Sequence, residues 1–425
     1  MSHYLYIDNF RGFIDQVIPL DQVNFFVGEN STGKTSILKL LCLFENTFFY
    51  YDYNLNLKTN IVDINFGSFK DISMSSNSFT VGYQKDFIKT KKAGIIIKYI
   101  NIDGKPKVDK ICYYNNNGDI LSVEISFKDK KLKYKHMQVK LGSFRKMVDY
   151  CKKHFFEAES ELESCNFISD QLPLSLILDL SLKKDMKEKN NEASIDQPFF
   201  QFNLIFESSL IVDPIRNEPE EIYYDFSNST ERFNDATFIL RNLSKNEKYS
   251  KIFKKINEFG NKSGLFEELS VNTLEDSFFQ IKVKLGKNSN SYNITKVGYG
   301  ISQIYPILIH VLLNNIVSIQ QPEIHLHPKA QAAFGQFIYQ LSKENQKKVF
   351  YIETHSDFII DRFRIMKRKN KGEIRSNVLF FERKGDNNCI HVVKILDNGR
   401  YVQKQPASFR EFFVNESLTL LGIED

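Results

Sequence analysis

One nine-residue stretch, residues 28–36, constrains this chain more than any other part of it. The stretch reads Gly-Glu-Asn-Ser-Thr-Gly-Lys-Thr-Ser and lies between two mostly apolar runs, residues 23–27 and 37–41. It fits the pattern Gly-x-x-x-x-Gly-Lys-[Ser/Thr] in the order strand, tight loop, helix. Glycines let main-chain N–H groups approach phosphate oxygens, and the start of a helix adds positive potential. The stretch therefore predicts a phosphate-binding loop.

The same loop predicts which side chains meet the nucleotide. Its lysine supplies a positive charge to the phosphates, and the hydroxyl of Thr35 would lie on Mg²⁺. ATP and Mg²⁺ are therefore the expected cofactors. The predicted nucleotide-binding residues of the loop are Asn30, Ser31, Thr32, Gly33, Lys34, Thr35 and Ser36.

Length, charge and cysteine content narrow the class of protein. The 425 residues leave room for one large α/β domain with an insertion, or for two or three modest domains. A net charge of only +5 does not indicate a nucleic-acid binder. The basic segment 129–135 has two interpretations, the solvated face of an edge strand or a nucleic-acid contact. Five cysteines without a Cys-x-x-Cys pair argue against a disulfide framework or a zinc knuckle. With no signal-peptide layout and no apolar run of about 18 residues, we expect a cytoplasmic protein with no membrane contact.

The hydrophobic pattern predicts four parts. Residues 1–64 form an N-terminal lobe with the phosphate loop, and residues 65–142 form an antiparallel β portion, because turn signals Asp103-Gly104 and Asn117-Gly118 separate short β runs. Residues 143–275 form a mainly helical insertion, in which 143–163 is an amphipathic helix and 183–196 a mobile loop. Residues 276–425 form a C-terminal lobe.

The C-terminal lobe alternates strands and helices. Residues 298–303 lead into an apolar helix, and the strand 316–319 runs into 320–328, where Pro328 suits the first turn of a following helix. A second strand, 347–353, ends at Thr-His-Ser-Asp. This alternation predicts a parallel sheet with helical crossovers.

Six segments in a fixed order resemble the head of an ABC-type ATPase. More narrowly, they are similar to the clade related to the OLD (overcoming-lysogenization-defect) proteins, whose stand-alone members, such as the PtuA ATPases of the Septu system, power bacterial anti-phage defence. The resemblance implies an α/β fold: an ABC-type P-loop ATPase head with a mixed sheet, an antiparallel β subdomain and a helical insertion. The segments are residues 9–13, 28–36, 213–219, 298–303, 320–328 and 354–357.

The resemblance also implies a composite nucleotide site. Segment 298–303 takes the place of the ABC signature and begins a helix. Ser302, Gln303 and main-chain N–H groups there would meet the γ-phosphate of a nucleotide held by another subunit, in a homodimer or higher homo-oligomer formed around ATP. His355 matches the switch histidine of the family, and Arg11 is expected near the nucleotide. His325 and His327 are two residues apart without a third ligand, which indicates loop structure instead of a zinc site.

The strand that should supply catalytic acids departs from the family pattern. In the family, this strand ends in an acid that orders Mg²⁺, and the next residue positions the attacking water. In this chain those two positions hold Gln320 and Gln321. A glutamine can hydrogen-bond a metal-bound water but cannot accept its proton or neutralise the ion. Glu323 could partly substitute, or could instead anchor its loop. We therefore expect ATP binding with weak hydrolysis.

The resulting prediction is an ATP-binding subunit of a bacterial anti-phage complex. It would use ATP-dependent dimerisation to sense infection and would control a separate effector, a nuclease. A self-contained nuclease is disfavoured because only about 70 residues follow His355 and no Asp-x-Asp is present. The signature-like and switch-like segments argue against a small-molecule kinase. The lack of heptad repeats, which coiled-coil arms would need, argues against a DNA-repair or recombination ATPase acting on DNA ends.

Overall fold

A computed structural model gives the structure of the chain. It describes residues 3–46, 49–58, 63–73, 77–88, 91–115, 118–126, 131–157, 163–166, 209–214, 216, 218–224, 235–275, 277–370 and 374–411. The predicted loop 183–196 lies outside the described residues.

The described elements are numbered here in chain order. The strands are β1 His3–Asp8, β2 Gln16–Leu20, β3 Val23–Gly28, β4 Leu57–Lys58, β5 Asp63–Ile64, β6 Ser78–Ile88, β7 Lys91–Ile102, β8 Lys105–Asn115, β9 Asp119–Ser126, β10 Lys131–Gln138, β11 Glu163–Asn166, β12 Leu210–Val212, β13 Tyr223–Tyr224, β14 Glu268–Glu275, β15 Phe278–Lys284, β16 Ser291–Asn293, β17 Ile316–Gln320, β18 Val349–Glu353, β19 Ser376–Lys384 and β20 Asn387–Lys394. The α-helices are α1 Lys34–Phe44, α2 Phe49–Asp52, α3 Phe69–Ile72, α4 Phe144–Cys151, α5 Ala236–Ser244, α6 Ser250–Ser263, α7 Tyr299–Leu313, α8 Pro328–Glu344 and α9 Asp357–Asn370.

A six-stranded mixed sheet carries the phosphate loop. Its order is β12-β17-β18-β3-β19-β20. All neighbours are parallel except β20, which pairs antiparallel with β19 at the edge. Every residue of β3, β17 and β18 is buried, as expected for parallel strands covered on both faces. The predicted parallel sheet with helical crossovers is confirmed.

A second, antiparallel sheet packs beside the first. Its order is β11-β10-β9-β8-β7-β6-β1-β2. The predicted hairpins are confirmed: β7 and β8 pair antiparallel across Asp103 and Gly104, both of which have positive φ, as a tight two-residue turn requires. The first two strands of the chain thus belong to this sheet, and the third belongs to the mixed sheet. The predicted α/β fold class with a mixed sheet and an antiparallel portion is confirmed.

The segment predicted as a helical insertion contributes to all three larger sheets. Its strand β12 extends the mixed sheet, β13 and β14 join β15 and β16 in a small antiparallel sheet, and α5 and α6 pack nearby. The helix predicted over 143–163 is shorter than expected. It ends at Cys151, continues as a π-helical turn Lys152–Phe156, and Glu163–Asn166 instead pairs with β10. The four-part division of the chain itself stays a prediction.

Helix α1 lies between the two large sheets. Its apolar residues Ile37, Leu38, Leu40, Leu41 and Phe44 are completely buried and belong to one core with residues of the antiparallel sheet. The prediction that this helix is buried on most sides is confirmed. A second core on the other face of the mixed sheet contains residues of α5 to α9. Within the described part of the chain, no helix combines the length and apolarity needed to span a bilayer.

A buried ionic network fixes the far end of α1 to the antiparallel sheet. Glu45, which caps the helix, is completely buried, and its carboxylate accepts hydrogen bonds from Lys85 Nζ at 2.5 Å and from the Tyr83 hydroxyl. His3 Nδ1 lies 3.7 Å from the same carboxylate. Burial would raise the pKa of Glu45, but Lys85 and His3 outweigh it and lower the pKa to about 2. The carboxylate is therefore charged at neutral pH.

Candidate functional site

A cleft of about 690 Å³ opens at the phosphate loop. It lies where the carboxyl ends of the parallel strands β3 and β18 meet, which is the edge at which α/β sheets bind ligands. The residues that line it are Arg11, Gly12, Asn30, Ser31, Gly33, Lys34, Thr35, Ser36, Asp71, Ile72, Gln321, Glu353, Arg383, Gly385, Asp386 and Asn388. Most of the loop residues predicted to bind nucleotide therefore surround one cavity.

Two glycines determine the shape of the loop. Gly28 has φ of 135°, and a Cβ there would lie 2.0 Å from the carbonyl oxygen of Phe381 on β19. Gly33 has φ of 90°, and a Cβ there would lie 2.7 Å from the ring of Phe13. Thr32 does not line the cleft; its hydroxyl donates to the carbonyl of Glu29 at 2.7 Å. The loop thus turns tightly into α1, whose first N–H groups have no partner within the helix.

Lys34 lies at the floor of the cleft. Only 4% of it is exposed, and its Nζ donates to the carbonyl oxygens of Gly28 at 2.9 Å and Glu29 at 2.6 Å. Burial lowers the pKa of Lys34, and the charges of Glu353 and Glu29 oppose that effect. The ammonium group is therefore held against the loop main chain, within reach of the space that the loop surrounds.

Thr35 contacts a carboxylate that sequence reasoning missed. Its hydroxyl donates to the two carboxylate oxygens of Glu353 at 3.0 and 3.2 Å. Glu353 is the last residue of β18 and is 5% exposed. Burial raises its pKa, while the Thr35 hydrogen bond and Lys34 oppose the increase. The available signal was an acid at the end of a strand, directly before Thr-His-Ser.

The two glutamines that replace the expected acids lie in different surroundings. Gln321 has φ of 44°, donates its N–H to the carbonyl of Glu353 at 2.8 Å and lines the cleft. Gln320 is 5% exposed and does not line it. Its carbonyl accepts a hydrogen bond from Arg216 at 3.0 Å, and among the described residues its side-chain amide nitrogen has no hydrogen-bond partner. Only Gln321 therefore faces the cleft.

Glu323 is hydrogen-bonded to the segment that follows β18, and its role in catalysis stays a prediction. Its carboxylate accepts from the Thr354 hydroxyl and from the His355 N–H, both at 2.7 Å. His355 is exposed at the end of β18, where partial desolvation and Lys34 lower its pKa and Glu323 opposes them. The structure thus brings His355 into the electrostatic field of the loop lysine, although it does not line the cleft.

The two other histidines of this region make contacts within their own chain. The ring of His327 accepts from the N–H of Ala330 at 3.3 Å at the start of α8, and the ring of His325 packs edge-on against Tyr299 with centroids 4.9 Å apart. No group of three metal-ligating side chains occurs among the residues that the structure describes.

The signature-like segment, residues 298–303, exposes its first residues and buries Ser302 and Gln303. Ser302 and Gln303 are each 2% exposed, and the Ser302 hydroxyl donates to the carbonyl of Tyr299 at 2.7 Å. Neither lines the cleft of its own chain. In a single chain the Ser302 side chain lies one turn inside α7, and its contact with a nucleotide held by a second copy stays a prediction. The exposed residues at the helix start are Gly298 and Tyr299.

Three basic residues lie near this edge. Arg11 lines the cleft as predicted and donates to the carbonyl of Phe66 at 2.9 Å; burial lowers its pKa and Asp71 opposes this. Arg383 lines it too and donates to the carbonyl of Ser31 at 2.9 Å. No motif in the sequence indicated Arg383. Arg216 does not line the cleft; it donates to the carbonyl of Gln320 on β17, and burial lowers its pKa to about 10.

Comparisons with known proteins agree with a nucleotide site. The profile of a protein family described as AAA ATPase domain, AAA_15, matches residues 1–360. No curated protein matches the chain significantly. The SMC head domain from Thermotoga maritima is 12% identical, with 92% of this chain and 98% of that chain covered and a TM-score of 0.38. The Smc head domain from Pyrococcus furiosus, with an extended coiled coil and bound to the C-terminal domain of ScpA, is 10% identical, with 99% of each chain covered and a TM-score of 0.37. Because both TM-scores are below 0.5, the family match is the informative finding.

Proposed function

Because the chain belongs to the AAA_15 family of AAA ATPase domains, we propose that it is an ABC-type ATPase subunit that binds ATP with Mg²⁺ in the cleft at residues 28–36. One observation carries this proposal. The loop lysine and the loop threonine converge on a single cleft, and the threonine hydroxyl points at a buried carboxylate. A phosphate group and a divalent cation need these two kinds of partner side by side.

Each part of the loop has a distinct task in the proposed complex. The main-chain N–H groups at the start of α1 and the Lys34 ammonium bind the phosphate oxygens. The Thr35 hydroxyl contacts the cation, which neutralises phosphate charge when bound. Arg11 and Arg383 flank the cleft from two other segments of the chain and add positive charge for the rest of the nucleotide.

Hydrolysis is proposed to be slow. Gln321 is the residue of the expected catalytic pair that faces the cleft, and its neutral amide can orient a water but cannot take a proton from it. The carboxylate of Glu323 is occupied by Thr354 and the main chain of His355. ATP would then act mainly as a ligand that holds two copies of the chain together, and its hydrolysis would contribute little.

A site completed by a second copy is part of the proposal. The exposed start of α7, with Gly298 and Tyr299, does not line the cleft of its own chain. Free N–H groups at a helix start can bind phosphate oxygens. We therefore infer a homodimer or higher homo-oligomer around ATP, with the main chain at residues 298–300 as the contributing group in place of the Ser302 hydroxyl.

The biological assignment rests on the motif resemblance. We infer a cytoplasmic subunit of a bacterial anti-phage complex, in which ATP-dependent dimerisation controls a separate nuclease. A DNA-repair ATPase is compatible with the same family match. Co-purification with the product of the neighbouring gene separates them: a stable complex with a nuclease supports the first, whereas stimulation of phosphate release by DNA ends supports the second.

The molecular proposal has its own test. Mass in solution is measured by light scattering with Mg²⁺ and with or without ATP, beside a Lys34→Ala variant. We expect ATP to double the mass of the unaltered protein and to leave the variant unchanged. Because charge-assisted hydrogen bonds are worth about 1.5–3 kcal/mol, the variant should bind a fluorescent ATP roughly ten- to a hundredfold more weakly. Equal ATP affinity in both proteins would overturn the proposal.

A further inference from the structure

We propose that Glu353 is the carboxylate that orders the divalent cation of the nucleotide, so that the acid missing from β17 is supplied by the adjacent strand β18. The inference rests on the proposed ATP site and deepens it. It gives a role to a residue that no motif in the sequence assigned.

The contact with Thr35 is the first step. A loop threonine that binds Mg²⁺ does so with an oxygen lone pair, which leaves its hydroxyl hydrogen for an acceptor. In this chain that acceptor is Glu353, at 3.0 and 3.2 Å. The carboxylate thus fixes the orientation of the hydroxyl and places a negative charge next to the position of the cation.

Strand register is the second step. Residues 320 and 353 are direct partners in the parallel pairing of β17 with β18, and neighbouring strands lie about 4.8 Å apart. A carboxylate at position 320 and a carboxylate at position 353 would therefore lie at the same edge of the sheet. Position 320 has a neutral amide where an acid is expected, and position 353 has a carboxylate. One carboxylate is therefore still present at this edge of the sheet.

The other acids near the cleft are less suitable, which is the third step. Glu323 is occupied by Thr354 and the main chain of His355. Asp71 is exposed and accepts from the main-chain N–H and the hydroxyl of Ser68, both at 2.7 Å, at the start of α3. Asp386 is exposed in the turn between β19 and β20. Glu353 is the buried cleft acid that already contacts the loop threonine.

Two protein ligands are enough for Mg²⁺ in a nucleotide site. No group of three ligating side chains occurs in the described ranges. Mg²⁺ in nucleotide sites is bound through one or two carboxylates together with phosphates and waters. One carboxylate and one hydroxyl are therefore a sufficient contribution from the protein.

The test measures how much Mg²⁺ tightens nucleotide binding. The Kd of a fluorescent ATP is determined with Mg²⁺ and with EDTA for the unaltered protein, Glu353→Gln and the exchange variant Glu353→Gln/Gln320→Glu. Asp361→Asn serves as a matched loss of one acidic charge, because Asp361 lies on α9 and does not line the cleft. Removing a group that orients a metal ligand typically weakens the metal about 10–100-fold. We expect Glu353→Gln to lose about tenfold or more of the Mg²⁺ effect, with unchanged or tighter binding in EDTA, because a negative charge near the phosphates is gone.

Two controls make the outcome decisive. The exchange variant should recover much of the Mg²⁺ effect, and Asp361→Asn should retain all of it. Electron paramagnetic resonance of Mn²⁺ with ATP gives an independent count of bound cation, and thermal unfolding shows whether each variant is folded.

The outcomes separate this inference from the proposed function. Failure of the unaltered protein to bind ATP under either condition would refute the proposed function. Normal ATP binding with the same Mg²⁺ effect and Mn²⁺ count in Glu353→Gln would refute only the role of Glu353. If Glu353→Gln does not fold, an undiminished Mg²⁺ effect in a folded Glu353→Ala variant would also refute it.

Discussion

Replacement of Glu45 by Gln should lower the free energy of unfolding by about 3 kcal/mol at pH 7. The carboxylate of Glu45 is completely buried and pairs with Lys85 at 2.5 Å. Its pKa of about 2, compared with an ordinary value of 4.5, corresponds to about 3 kcal/mol in favour of the charged folded form. Removing one partner of a buried ion pair costs a similar 3–5 kcal/mol or so, because the other charge remains in the interior.

The pH dependence gives a second, independent expectation. Because the pKa of Glu45 is lower in the folded protein, its contribution to stability is complete above pH 4.5 and is lost as the pH falls toward 2. The Gln variant lacks this titration. The difference in unfolding free energy between the two proteins should therefore be largest near neutral pH and should narrow steadily between about pH 5 and pH 2.

Urea unfolding provides the measurement. The chain has no Trp but 20 Tyr, so tyrosine fluorescence and far-UV circular dichroism are the suitable probes, and their coincidence tests for a single transition. The double variant Glu45→Gln/Lys85→Met is the control, because it removes both charges and should recover part of the loss. A single variant within 1 kcal/mol of the unaltered protein, or a difference that does not change with pH, would refute the reasoning.

Three further changes have expected outcomes. Gln321→Glu should raise steady-state phosphate release about 10²–10⁴-fold, the usual range for a general base, whereas an unchanged rate would show that position 321 is not limiting. Gly28→Ala should unfold the protein at a clearly lower temperature in a thermal scan, because its Cβ would lie 2.0 Å from the Phe381 carbonyl oxygen; a normal melting temperature would contradict this. Ser302→Ala should lose about 1 kcal/mol of stability with its hydrogen bond to Tyr299, yet light scattering should show ATP-dependent dimers as before, and loss of the dimer would restore a direct role for the hydroxyl.

The parts of the fold that the sequence predicted are those with local signals. The phosphate loop combines a buried strand, two glycines and an apolar helix within about 20 residues. The hairpin at Asp103 and Gly104 has a turn type that the residues themselves require. Strands that alternate with helices predicted the parallel sheet in the same way. Each of these inferences needs only neighbouring residues.

The parts that sequence reasoning missed depend on long-range contacts. Thr35 and Glu353 are 318 residues apart, so no spacing in the sequence relates them, and only the position of β18 between β17 and β3 brings them together. The segment after Cys151 has helical periodicity, but pairing with β10 determines its conformation at Glu163–Asn166. The burial of Ser302 in α7 also depends on tertiary packing, which a pattern of residue types does not show.

Helix α1 is fixed at both ends, and this limits how its length can vary between related proteins. Its first residue, Lys34, contacts the loop, and Glu45, which caps its last turn, contacts Lys85. Each residue of an α-helix adds about 1.5 Å and a rotation of about 100°. A single insertion or deletion would therefore turn the terminal carboxylate away from its lysine while leaving the loop sequence intact. Homologues that keep both contacts should have helices of the same length here, even where most of the other residues differ.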